Sequence, residues 1–291
     1  MALPRPAANE PPTSFPSYPD LPGRIALITG IGQVGIPNSP TWGNGAATAR
    51  VLSSNGVKIF GCDINLPAAE TTKARLLALK PDAEVEVVRC DVTKQSDVDE
   101  FVRLAVARFG RVDILVNNVG ATRPGDPATM SEDDWMGQID VNLHSVYRCC
   151  HAVLPIMEAQ GTGGSVVNNA SITALRYIGK PQIAYATAKA AVIRYTKSAG
   201  VMYAPKGIRF NAVVPGLMYT PLVENFGASE KEEDREVFRK ITEHNVPMGK
   251  IGDSFDVANA VVWLASDASR YVTAHALVVD GAITESTGTG G

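Results

Sequence analysis

Short apolar runs alternate with longer stretches of helical character along most of this chain. "RIALIT" (24–29), "VKIFGC" (57–62), "EVEVVRC" (84–90), "VDILVNN" (112–118), "GSVVNNAS" (164–171), "GIRFNAVVP" (207–215) and "HALVVDG" (275–281) are such runs. They read as strands buried on both faces, as in a parallel sheet. Between them lie a helix ending at the glycine-type cap Asn55-Gly56, a stretch from Leu66 to Leu79, and a long one from about Ser131 to Met157. Ser131 followed by Asp134 is a weak form of the capping box. The alternation predicts an α/β fold, a doubly wound, seven-stranded parallel sheet with helices on both faces, as a single domain over 22–283.

The ends break this pattern. Prolines at 4, 6, 11, 12, 16 and 19 predict a flexible arm over 1–21, and 284–291 reads as a tail. The segment 217–247 contains "EKEEDREVFRKITEH" beyond the end of the sixth strand. A lid over a ligand and a solvated surface helix both account for it. The 291 residues carry a net charge of −3, which speaks against nucleic acid as a partner. No apolar run reaches about 18 residues and no leader pattern opens the chain, so the expectation is a cytoplasmic protein without a membrane span. Cys62, Cys90, Cys149 and Cys150 have neither C-x-x-C nor zinc-ligand spacing, so no metal site is expected. Cys62 and Cys90 end apolar runs and read as buried thiols in a reducing compartment.

Candidate chemistry gathers at one edge of the sheet. Tyr185 and Lys189 share a helix face. An ammonium beside a phenol stabilises the phenolate, so the pKa of Tyr185 is expected to fall towards neutrality, where it serves as an acid/base for an alcohol or carbonyl. Ser171, at the carboxyl end of the fifth strand, offers a hydroxyl to hold a substrate oxygen. Asn142 is an amide inside the long helix, unfavourable there unless it bonds something. "VNNVG" (116–120) and "PGLMYT" (215–220) end the fourth and sixth strands, where ligands bind in open α/β sheets.

These pieces, with Thr29-Gly30, "CDIN" (62–65), "CDVT" (90–93) and "WLASDASRYVTAHALVVDG" (263–281), resemble the short-chain dehydrogenase/reductase family over about 22–283. The resemblance implies a Rossmann fold and a nicotinamide-dependent oxidoreductase acting on a small carbonyl or alcohol substrate. It implies Tyr185 as general acid/base, Ser171 orienting the substrate carbonyl, Lys189 bonding the nicotinamide ribose and lowering the Tyr185 pKa, and Asn142 maintaining a proton relay. It further implies cofactor contacts from Gly30, Gly43, Gly45, Asp63, Ile64, Asp91, Val92, Asn118, Gly120, Tyr185, Lys189, Pro215, Gly216, Met218 and Thr220. A strand-end cap also accounts for Asp91. A homotetramer or homodimer is implied, its subunits pairing through helices at about 131–157 and 184–203. The chain departs from the family pattern at Val119, where Ala is usual, and at Ala274 and Ala282, where Gly is usual.

Asp63 favours NAD over NADP, since a carboxylate there accepts from ribose hydroxyls and repels a 2′-phosphate. No Lys or Arg lies between Gly30 and Ala49. A literal G-x-G-x-x-G stands at Gly30, Gly32 and Gly35, but Pro37 and Pro40 deny it a helix. The family pattern fits Gly30, Gly43 and Gly45 instead, with twelve residues between the first two where three are usual. Only Gly30 of the literal motif then keeps a role, Ser39-Pro40 is expected to begin the helix, and Trp42 to shield the phosphates. An enoyl reductase, and a relative that binds cofactor to guide a non-redox biosynthetic step, are alternatives. Arg123, Arg176 and His244 could meet an acidic substrate group, though a solvated surface role is the plainer reading.

Overall fold

The computed structural model describes residues 12, 14–33, 35, 39–229, 231–233, 235, 236 and 246–287. Nine strands are present among them: β1 (Ile25–Thr29), β2 (Lys58–Asp63), β3 (Val85–Arg89), β4 (Ile114–Asn117), β5 (Gly164–Asn169), β6 (Ile208–Pro215), β7 (Met218–Tyr219), β8 (Gly252–Asp253) and β9 (His275–Val279). Seven form one parallel sheet in the order β3-β2-β1-β4-β5-β6-β9, while β7 and β8 pair with each other beside it. The seven-stranded doubly wound sheet is the one the apolar runs predict. Strand order reverses at β1, whose neighbours are β2 and β4, so the crevice at a switch point opens between their carboxyl ends.

Helices α1 (Asn44–Ser54), α2 (Leu66–Leu79), α3 (Gln95–Phe109), α4 (Glu132–Ile139), α5 (Ser145–Gln160), α6 (Ile183–Tyr203), α7 (Pro221–Ala228) and α8 (Ser254–Ala265) complete the fold. Period-two alternation in the strands builds two cores. Ile25 and Leu27 face Phe101, Val153 and Val192 from α3, α5 and α6. Ala26 and Ile28 face Val51, Leu76 and Val262 from α1, α2 and α8. No helix among the described residues is long and apolar enough to cross a membrane.

Two expectations about the elements need correction. The long helix is not uniform: α4 passes into α5 through a π-helical turn, Asp140–His144, with Asn142 at its centre. The arm is docked over its final part. Leu21 is fully buried, Phe15 stacks on Phe255 at 5.5 Å, and the Asn55 amide holds Tyr18 N–H at 2.9 Å and the Pro16 carbonyl at 3.1 Å. Apolar Phe15, Tyr18 and Leu21, spaced between the prolines, find a surface on α1 and α8 that proline content alone does not reveal. Residues 1–11 and 13 lie outside the described residues, as do 230, 234 and 237–245 of the expected lid, including His244, and 288–291 of the tail.

Candidate active site

Ser171, Tyr185, Lys189 and Asn142 meet at the carboxyl end of β4 and β5. Ser171 follows β5 in extended backbone, and its Oγ accepts from Thr173 N–H at 3.3 Å. Tyr185 lies in the first turn of α6, its phenol close enough to the Ser171 side chain for the two to influence each other. One turn on, Lys189 is almost wholly buried; its Nζ donates to the Asn169 carbonyl at 2.8 Å and lies 5.7 Å from the Tyr185 ring centroid. Asn142, fully buried, pairs with Ala121 in both directions: its Oδ1 accepts from Ala121 N–H at 3.1 Å and its Nδ2 donates to Ala121 carbonyl at 2.7 Å. The same Nδ2 takes the Gln138 carbonyl at 2.8 Å. An amide that is costly inside a regular helix thus sits where a π turn gives it a backbone partner on the β4 loop. Gly120 closes the cluster: a Cβ there would stand 3.2 Å from both Asn142 Oδ1 and Lys189 Nζ.

The expected fall in the Tyr185 pKa is not what this geometry gives. Burial raises it, against a lowering pull from the Ser171 hydrogen bond. Burial acts on Lys189 as well, pulling its own ammonium down to about 8. The i, i+4 spacing identifies the pair but not the desolvation that both groups suffer.

Four asparagines support this cluster, of which sequence spacing marks only Asn118. In the β4–β5 register Asn117 faces Asn168, and Asn117 Nδ2 donates to Asn168 Oδ1 at 2.8 Å. Asn168 Nδ2 passes on to Thr196 Oγ1 on α6 at 2.8 Å. Asn169 Nδ2 donates to Asn118 Oδ1 at 3.0 Å, and Asn118 Nδ2 to the Gly30 carbonyl at 2.9 Å. The readable signal is the Asn-Asn doublet at the ends of two apolar runs, which becomes meaningful once those runs are neighbours.

On the other side of the crevice the residues fit a dinucleotide. Gly43 is the N-cap of α1 without a side-chain cap bond, and a Cβ on it would meet nothing within 4 Å, so the first-turn N–H groups stand open to an anion. Gly45 packs α1 against β1 so closely that a Cβ would strike the Gly30 carbonyl. Asp63 ends β2, its carboxylate held by Gly32 N–H at 2.9 Å and Asn65 N–H at 3.0 Å, beside the exposed Ile64. Asp91 makes a turn with Thr93, N–H at 3.1 Å and Oγ1 at 2.6 Å. Burial opposes its ionisation, yet these bonds and Lys94 hold its pKa below the ordinary value. Val92 is buried beside it. Pro215 ends β6 and Gly216 follows it, Met218 is in β7, and Thr220 stands at the N-cap position of α7 without a side-chain cap bond.

Three expectations for the glycine-rich loop are overturned. The helix begins after Gly43, not at Ser39-Pro40, because Ser39 directs its hydroxyl to Glu224 on α7 at 2.8 Å. Trp42 does not shield the crevice. It is buried against Phe255 and Arg75, the guanidinium 3.9 Å from its ring centroid, and anchors the loop. The literal motif is no mere decoy either: Gly32 leaves room for Asp63 Oδ2, 2.6 Å from where its Cβ would be, and Gly35 lies against Pro221. Pro37 lies outside the described residues. Of the candidate substrate contacts, Arg123 pairs with Asp134 at 2.6 Å and Arg176 bonds the carbonyls of Ile283 and Thr284 at 3.0 Å.

A family model described as enoyl-(acyl carrier protein) reductase matches residues 41–284. Levodione reductase of Leifsonia aquatica is 36% identical over 94% of this chain and 97% of its own length. The chain belongs to the short-chain dehydrogenase/reductase family. Cyclohexanol dehydrogenase of Acinetobacter sp. (strain SE19), at 36% identity over 90% of this chain and 95% of its own, is a further relative. A crystal structure of levodione reductase superposes with a TM-score of 0.82 at 31% identity, covering 91% of this chain and 99% of that one. Ala274 and Ala282, where the resemblance leads to an expectation of glycine, both have left-handed backbone, with φ of 59° and 72°. This short-chain dehydrogenase/reductase therefore keeps the glycine conformation without the glycine. No group of three or more metal-ligating side chains occurs among its described residues.

Proposed function

We propose that this protein is an NAD(H)-dependent oxidoreductase that interconverts a ketone and a secondary alcohol, with Tyr185 as general acid/base. The carrying observation is the side-by-side placement of Ser171 and Tyr185, with Lys189 one turn behind Tyr185 at the carboxyl edge of the sheet. Relatives named for a ketone and an alcohol support that substrate class.

When bound, a nicotinamide supplies or accepts the hydride. Ser171 Oγ and Tyr185 Oη together hold the substrate oxygen, and Tyr185 delivers its proton to that oxygen in reduction or removes it in oxidation. Burial favours the neutral phenol, the form that donates a proton in the reductive direction. Lys189 binds the ribose and returns a proton to Tyr185. Asn142 holds the Ala121 backbone and, through the π turn, keeps Lys189 in reach of water. The first turn of α1 behind Gly43 and Gly45 accepts the pyrophosphate, and Asp63 the adenosine ribose. Gly30, Ile64, Asp91, Val92, Asn118, Gly120, Pro215, Gly216, Met218 and Thr220 line the rest of that site. The basic groups nearest the loop are spent elsewhere: Arg75 bonds the carbonyls of Pro40 and Thr41, and Arg50 stacks over Trp42. That leaves NAD preferred over NADP.

The family model's description favours a second reading, reduction of an enoyl thioester. The four-residue Tyr185–Lys189 spacing and the Ser171 partner favour the carbonyl reaction. The decisive assay follows NADH and NADPH oxidation with cyclic ketones, quinones, oxoacyl thioesters and enoyl thioesters, and NAD reduction with the matching alcohols. Turnover of a ketone or alcohol with NADH preferred is expected; turnover of enoyl thioesters alone would reject this reading. Exposed Tyr147 on α5 and Val201 and Met202 on α6 suit pairing of these helices in a homodimer or homotetramer. A monomeric mass of 30.9 kDa in light scattering would reject that assembly. Four buried free cysteines suit the reducing cytoplasm.

A further inference from the structure

The long connection between Gly30 and Gly43 ends in a set of contacts with a segment that lies far away in sequence. Ser39 Oγ donates to the Glu224 carboxylate, 2.8 and 2.7 Å from its two oxygens, and accepts from Thr41 N–H at 3.1 Å. Thr41 Oγ1 adds a bond to Glu224 Oε1 at 3.0 Å. Gly35 lies so close to Pro221 that a Cβ would come within 2.7 Å of its side chain. No Lys, Arg or His is in ion-pair reach of Glu224 among the described residues, so these hydroxyls are what its charge meets. Glu224 itself is in the first turn of α7, its N–H on the Thr220 carbonyl at 2.9 Å. The far end of the connection is fixed: Trp42 is buried, and Arg75 bonds the Thr41 and Pro40 carbonyls at 3.2 and 3.3 Å.

We propose that Glu224 is a positioning residue for cofactor binding: it clasps the connection before α1 to the first turn of α7, so the two banks of the dinucleotide crevice move as one body. The inference rests on the nicotinamide reading of the site. One bank carries the open helix end at Gly43 and the Gly32–Asp63 bond. The other carries Met218 and Thr220. Glu224 touches no cofactor; it fixes the distance between groups that do. A crevice held at its working width loses less freedom on binding, and its ligand leaves only when the clasp parts.

The test uses the full chain and NADH, with affinity from fluorescence titration and dissociation from a stopped-flow chase. Four variants are compared with wild type: Glu224→Ala, Ser39→Ala/Thr41→Val, these three substitutions together, and Glu224→Gln. Glu224→Ala is expected to weaken NADH about tenfold, mainly through faster dissociation, as loss of charge-assisted bonds would. The hydroxyl pair should match it, and the combined variant should be no worse than either, since all act through one clasp. Glu224→Gln, which keeps an acceptor oxygen, should restore part of the affinity. The turnover rate at saturating NADH should fall less than the affinity. Should Glu224→Ala fold poorly, the hydroxyl variant carries the test. Unchanged NADH affinity in the variants, with or without a lower melting temperature, overturns the clasp while leaving the nicotinamide reading intact. If wild type binds neither NADH nor NADPH, the reading of the site fails and the clasp with it.

Discussion

The two walls of the crevice are built on different principles. The wall proposed for catalysis is made of regular elements: β4, β5 and the first turns of α6 place Asn118, Ser171, Tyr185 and Lys189 by strand register and helix pitch. The wall proposed for the cofactor phosphates is made of a twelve-residue connection held at separate points, Gly32 on Asp63, Gly35 on Pro221, Ser39 and Thr41 on Glu224, and Trp42 in the core. Groups set by pitch and register are hard to move singly. Groups set by tethers can be released one at a time.

The largest effect is expected on the first wall. Tyr185→Phe should lower kcat by about 10²–10⁴-fold, the usual contribution of a general acid or base, while NADH affinity changes less than about twofold. Steady-state kinetics with a fluorescence titration checks this, and retained turnover would remove Tyr185 from its proposed role. Next is a contrast within the second wall. Gly45→Ala drives a Cβ into the Gly30 carbonyl and should cost about 1–3 kcal/mol of stability. Gly43→Ala enters open space and should leave the fold intact while weakening NADH. Denaturant melts of both separate the glycine that packs from the glycine that admits a ligand. Asp63→Ala should narrow the preference for NADH over NADPH about tenfold, as loss of one charged hydrogen-bond acceptor would. A ratio of kcat/KM values that does not move would count against Asp63 as the selecting group.

A smaller effect concerns pH. Burial holds the Lys189 ammonium at about 8, below its ordinary 10.5, so over that interval the unfolded chain binds a proton the folded chain has released. Stability from this group therefore rises as pH rises from about 8 towards 10.5. Tyr185, raised above its ordinary 10, opposes the trend at the upper end. The melting temperature of wild type relative to Lys189→Met should accordingly climb between pH 8 and pH 10; a flat difference would reject burial as the cause. The smallest effect is at the substituted glycines. A left-handed Ala costs about 1–2 kcal/mol, and Gly gives back about 0.4–1 in unfolded-state freedom. Ala274→Gly and Ala282→Gly should each stabilise by about 0.5–1 kcal/mol in chemical denaturation.

Legibility in the sequence follows the same division. Apolar periodicity is local, so the seven strands could be read directly, and α2 begins and ends at the predicted Leu66 and Leu79. That Ser171, Tyr185, Lys189 and Asn142 come together was legible because two of them are spaced by helix pitch and a third follows the end of a strand. The π turn at Asn142 was not, since its reason is Ala121, a partner in another element. Ser39 misled because a Ser-Pro pair has the local form of a helix start, while its hydroxyl answers to Glu224, 185 residues away. The Tyr185 pKa misled in a related way: spacing gives the neighbour of a group but not its exposure to water.

The buried Trp42 also bears on how such a connection can lengthen at all. Closing a flexible loop costs about 0.6 kcal/mol more for each doubling of length, so twelve residues in place of three cost about 1.2 kcal/mol. An indole packed under Arg75 and against Phe255 offsets a penalty of that size, the cation–π contact alone contributing about 0.5–2 kcal/mol. Additional chain at this point is therefore thermodynamically near neutral once one aromatic residue pins its end. Added length is tolerated because its far end is pinned, while Gly32, Gly35, Ser39 and Thr41 tie the connection to Asp63 and the far bank without involving a single reacting group.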